Sequence, residues 1–123
     1  MMTQDSTFPP SQLLELLGFL FLENNRPDKA AILFEALNAL GQAEPRHLAS
    51  LALALLRTGD SSAALRHLDR IARRGPMDAA FHLIRAQALL ALNREEEAAA
   101  AMRAYIAGAQ GDTPTQPQET ISP

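Results

Sequence analysis

Gly59-Asp60-Ser61-Ser62-Ala63-Ala64 decides how this chain folds. The stretch lies between two apolar runs, Leu48 to Leu56 and Leu65 to Ile71, whose spacing is helical rather than alternating. Gly59 can adopt the left-handed conformation that ends a helix. Asp60 or Ser61 can then accept a bond from a free backbone N–H and start the next helix. Ala64 follows one turn later and is small enough for two helices to approach closely. The local reading is one helix–turn–helix hairpin.

The hairpin recurs at a fixed step. Moving 34 residues in either direction from Gly59 and Ala64 reaches Asn25 and Ala30, or Asn93 and Ala98. Asn tolerates the left-handed conformation and also caps helices. The same step aligns Phe21, Leu55 and Leu89; Phe34, Leu68 and Met102; and Leu37, Ile71 and Tyr105. Gly18, Ala52 and Ala86 form a second column of small residues. A helix–turn–helix period of 34 residues is that of the tetratricopeptide repeat. The expected fold is all-α, with three such hairpins stacked as a short right-handed superhelix.

The composition agrees with one domain built from helices. Among 123 residues, 47% are apolar, Leu and Ala dominate, and there is no Trp and no Cys. Disulfide and thiolate chemistry are thereby excluded. Met1 to Pro10 lacks the basic and apolar parts of a signal peptide. The run Leu16 to Leu22 is too short to span a bilayer. These features predict a soluble, cytoplasmic chain without direct membrane insertion. The net charge of −3 argues against nucleic acid as the main partner. Charge is uneven, however. Residues 45–76 carry six arginines against Asp60 and Asp69, a surplus of +4 that leaves −7 for the remainder.

In chain order, residues 1–10 read as a flexible arm, 11–108 as the helical domain, and 109–123, with three prolines, as a disordered tail. Helices are expected over Ser11–Asn24, Pro27–Leu40, Pro45–Arg57, Ser61–Arg74, from after Asp78 to Leu92, and from Asn93, as its cap, to near Gly108. Pro27 and Pro45 suit first helical positions. The first helix is apolar nearly all round, which implies burial on every side or a partner against it. Repeat arrays usually close with a polar capping helix. None is visible, so Met102, Tyr105 and Ile106 are expected to be partly open.

Enzymatic chemistry finds no support, and no catalytic residue, metal or cofactor is expected. His47, His67 and His82 lie on separate helices without a metal-ligand spacing. Glu95-Glu96-Glu97 complements a helix N-terminus. Ser61-Ser62 is explained by capping, since no strained strand-to-helix elbow holds it. Arg66, Arg70, Arg73 and Arg74 make a basic stripe on the fourth helix. A solvated face explains it most simply and an acidic protein partner comes next. Nucleic acid is third, because no aromatics interleave.

The inner wall of a stacked-hairpin superhelix carries more information. With repeats starting at Ser11, Pro45 and Ala79, the first helices offer Gln12, Glu15, Phe19, Leu22 and Glu23; Arg46, Ala49, Leu53, Leu56 and Arg57; and Ala80, Leu83, Gln87, Leu90 and Ala91. A wall facing only water should be polar, yet this one holds Phe19, Leu22, Leu53, Leu56, Leu83 and Leu90. Contiguous apolar surface marks a binding site. The expected occupant is an amphipathic or extended segment of another protein, with Glu15, Glu23, Arg46 and Arg57 as rim charges. Burial would supply about 25 cal/mol per Å² before ordering costs. The competing occupant is the chain's own arm or a second copy, giving a homo-oligomer when the partner is absent.

The run Leu13-Leu14-Glu15-Leu16-Leu17-Gly18-Phe19-Leu20, followed by Asn25-Arg26-Pro27-Asp28-Lys29-Ala30-Ala31-Ile32-Leu33-Phe34-Glu35-Ala36-Leu37, resembles the small tetratricopeptide chaperones of bacterial type III secretion. Within them it is most similar to the YscY (SctY) family, in length, in three-repeat layout and in the Gly matching Gly18. The resemblance spans about residues 11–108. It implies a chaperone that holds the small secreted protein YscX, the pair then engaging the cytoplasmic domain of the export gate. The needle-subunit (YscG-like) and translocator (SycD-like) chaperones share the architecture and remain alternatives. The Pro-rich tail departs from many relatives.

Overall fold

The computed structural model describes residues 9–111, which form six helices. They are α1 (Pro10–Glu23), α2 (Pro27–Ala39), α3 (Pro45–Arg57), α4 (Ser61–Arg74), α5 (Ala79–Ala91) and α6 (Glu95–Gly111). Consecutive helices pair as hairpins, α1 with α2, α3 with α4 and α5 with α6. The second helix of one hairpin packs on the first helix of the next, α2 on α3 and α4 on α5. The first helices α1, α3 and α5 form an inner row. This is the expected all-α stack of hairpins.

Local chemistry explains the boundaries. Pro10, Pro27 and Pro45 open α1, α2 and α3, where the missing N–H costs nothing. Asp60 accepts from the Ala63 N–H at 3.2 Å and Asp78 from the Phe81 N–H at 2.9 Å, capping α4 and α5. Each inner helix ends in the same two-bond motif. The Asn25 and Arg26 N–H groups donate to Leu22 and Phe21, those of Gly59 and Asp60 to Leu56 and Leu55, and those of Asn93 and Arg94 to Leu90 and Leu89. Asn25, Gly59 and Asn93 all have positive φ, at 60°, 97° and 62°. This is the Schellman geometry that satisfies the last carbonyls of a helix.

Three boundaries differ from expectation. Helix α1 takes in Pro10 from the expected arm. Asn93 does not cap α6; its left-handed backbone closes α5, and α6 begins two residues later. Helix α6 runs on to Gly111, beyond the expected end near Gly108. The rest of the arm and tail, residues 1–8 and 112–123, lies outside the described residues.

The interior consists of two clusters that share α3. Ala30, Ala31, Phe34 and Leu37 of α2 meet Leu51 and Ala54. On the other side, Leu48 and Ala52 join Ala64, Leu68, Phe81 and Leu89 in the larger cluster. Ala30, Ala64 and Ala98 are all buried, as their column implies. The Gly18 column has a steric cause. A Cβ at Gly18 would stand 2.7 Å from Cζ of Phe34, a ring with no exposure.

Candidate binding surface

The inner row does not present one continuous wall. Gln12, Glu15, Leu16, Phe19 and Arg46 line a depression of about 380 Å³ between α1 and α3. Leu53, Leu56, Arg57, Ala80, Leu83, Ile84 and Gln87 line a larger cleft of about 630 Å³ between α3 and α5. The remaining wall residues fall elsewhere. Leu22, with Phe19, packs against the first core cluster. Glu23 is exposed and lines neither depression. Leu90 is exposed and also lines neither. It occupies the column of Leu56, but no further inner helix stands beside it among the described residues. Leu56 itself is half-buried against the second core cluster, so it is not the freely exposed residue that its position on the wall suggests.

The first depression is floored by charges that satisfy one another. The guanidinium of Arg46 donates to Glu15 and, at 3.2 Å, to Glu44. The Arg46 bond lowers the Glu15 pKa against the opposing effect of burial, and His47 adds to the lowering. His47 is buried, and Glu44 forms a capping box with it at the start of α3. The Glu44 N–H donates to His47 Nδ1 at 2.9 Å. An accepting Nδ1 places the ring proton on Nε2. That nitrogen lies 3.3 Å from Glu15 Oε1, without the alignment of a formed hydrogen bond. The other face of His47 stacks on Phe34 at a centroid distance of 6.5 Å. Glu15 and Arg46 are thus engaged with each other across α1 and α3 and are not free rim charges. Arg57, at the edge of the larger cleft, pairs with no carboxylate among the described residues.

The basic stripe is divided in the same way. Arg70 donates to Asn38 Oδ1 at 3.2 Å and Arg74 to the Ala43 carbonyl at 3.4 Å, tying α4 to the first hairpin. His67 lies 3.9 Å from Glu35 across the same junction. Burial lowers its pKa; Glu35 opposes this, while Arg70 and Arg66 add to it. The sequence offers no local sign of these contacts, because their partners lie about one repeat apart. Among the described residues, no group of three or more His, Cys, Asp or Glu could hold a metal ion, and no helix is long and apolar enough to cross a membrane.

What the fold and this surface define is a helical-hairpin repeat scaffold whose inner helices leave an apolar cleft open. A tetratricopeptide-repeat family model matches residues 50–113, and the chain belongs to that family. The match starts within α3 and takes in the second and third hairpins. The first hairpin lies outside it but keeps the columns of Gly18, Asn25 and Ala30. No curated protein matches the chain.

Proposed function

We propose that this protein is a non-enzymatic cytoplasmic chaperone of a type III secretion system. It holds a small secreted protein of the YscX kind and presents it to the cytoplasmic domain of the export gate. The family membership supports the coarser part, a protein-binding helical scaffold. The finer part rests on the resemblance of residues 11–108 to the YscY family. The observation that carries the binding reading is the cleft between α3 and α5. It offers Leu53, Leu56 and Leu83 on its floor, with Arg57 and Gln87 at its edge. Such a groove suits the apolar face of an amphipathic helix. The bound segment is masked from water, and Arg57 favours an acidic residue beside its apolar anchor.

Leu83 is the residue on which to test this. It lines the cleft and belongs to neither core cluster, whereas Leu56 packs against the second. Leu83→Asp should leave the circular-dichroism spectrum near wild type. In the complex its carboxylate would be desolvated without a partner, which costs several kcal/mol. Binding of a YscX-like protein should weaken by roughly two decades or more, since about 1.4 kcal/mol is tenfold. Undiminished binding by the folded Leu83→Asp variant would rule the cleft out.

A further inference from the structure

Among the described residues, the first and last hairpins are left open in complementary ways. At the first internal junction, Phe34 of α2 covers His47 of α3, with both side chains buried. One repeat later, the same columns place Leu68 of α4 and Phe81 of α5 in one buried cluster. Another step of 34 residues gives Met102 of α6, which is 38% exposed. The receiving column read backwards from His47 gives Leu13 of α1, which is 47% exposed. Its neighbours behave alike. Ala54 and Ala88 are fully buried, while Leu20, their counterpart in α1, is 43% exposed. Ile106, one turn beyond Met102, is 48% exposed.

The second helix of the hairpin changes in the same sense. Arg70 of α4 reaches back to Asn38 of α2, and Arg74 to the Ala43 carbonyl of the α2–α3 link. Their counterparts one repeat earlier are Ala36 of α2 and Leu40 at its C-cap, and Leu40 is exposed. The outer face of the first hairpin is therefore apolar where a terminal repeat should be polar. Solvent does not select that pattern, but a covering helix does.

We propose that this face takes helix α6 of a second copy, so that chains stack head to tail with Met102 of one copy on Leu13 of the next. The reason to choose a second copy is that the chain contains its own template. Phe34 on His47 and Leu68 with Phe81 are two realisations of the junction, and Met102 on Leu13 is the third, with both members left open. The interface is heterologous, so every stack keeps one free end of each kind and association is open-ended. It uses a different surface from the α3–α5 cleft and does not depend on it.

Sedimentation velocity on the full chain across a dilution series tests the proposal, with Leu13→Asp, Met102→Asp and, should the latter fail to fold, Ile106→Asp. The wild type should grow past a dimer as concentration rises. Each folded variant alone should lose association, staying monomeric where the wild type has associated. An equimolar mixture of the Leu13 and Met102 variants should form a dimer and stop there, because one intact end of each kind remains. A wild type that stays monomeric overturns the proposal. So does a closed dimer that survives Met102→Asp, which would mean that two α1 faces meet.

Discussion

Helices α1 and α3 occupy the same position in successive repeats, and the more apolar of the two is the less buried. Helix α1 carries eight Leu or Phe residues between Leu13 and Leu22, yet only Gly18 is buried. Helix α3 contains His47, Ser50 and two arginines, yet buries five residues, His47 among them. The difference lies in the neighbours. Helix α3 has α2 on one side and α4 and α5 on the other, whereas α1 is covered chiefly by α2. In a repeat array, the same column of sequence is core or surface according to what is stacked beside it.

Truncating one leucine on each helix separates the two most sharply. Leu51 of α3 is fully buried in the first cluster, so Leu51→Ala should cost about 2–5 kcal/mol in a urea titration. Leu20→Ala on the open face of α1, in the column of buried Ala54 and measured in dilute solution, should change stability by no more than about 0.5 kcal/mol. Comparable losses at the two sites would mean that α1 is covered after all.

A smaller effect is expected where α1 does meet its partner helix. Gly18→Ala should overpack the Phe34 ring and cost about 1–3 kcal/mol, lessened by the better helix propensity of Ala. The second repeat has Ala52 and Leu68 at these positions. Adding Phe34→Leu to Gly18→Ala copies that pair, and a double-mutant cycle should show favourable coupling. Additive losses would show that the ring is not what excludes a side chain at position 18.

The smallest effect concerns the charges joining α1 to α3. The folded state depresses the Glu15 pKa, so its contribution to stability is present at neutral pH and is lost as pH falls below the usual glutamate range and through the depressed value. Arg46 is half exposed, which limits the pair to about 0–1 kcal/mol with a salt dependence. Wild type and Glu15→Gln should differ at neutral pH and converge in acid. A difference that persists at low pH would assign the effect to packing rather than charge.

What could be read in the sequence is what local chemistry determines. Asn25, Gly59 and Asn93 mark three helix ends because a left-handed residue is needed there, and Asp60 and Asp78 mark two starts. Asn93 is ambiguous because the same side chain suits a helix start and a helix end, and only the backbone angle separates them. The candidate surface is less legible. Leu56 and Leu90 share a column, and what distinguishes them among the described residues is that a further inner helix stands beside Leu56 alone. The contacts of Glu15 with Arg46 and of Asn38 with Arg70 join residues about one repeat apart, beyond any local spacing rule. They explain why two expected rim charges and part of the basic stripe are already engaged within the chain.

On the reading proposed above, the α3–α5 cleft, not the apolar face of α1, receives the protein partner. Methyl-resolved NMR of the chain during titration with a YscX-like protein, in dilute solution, tests it most directly. The methyl signals of Leu53, Leu56 and Leu83 should shift together at the stoichiometric point while those of Leu13 and Leu20 stay in place. Shifts confined to Leu13 and Leu20, with the cleft leucines unmoved, would overturn it.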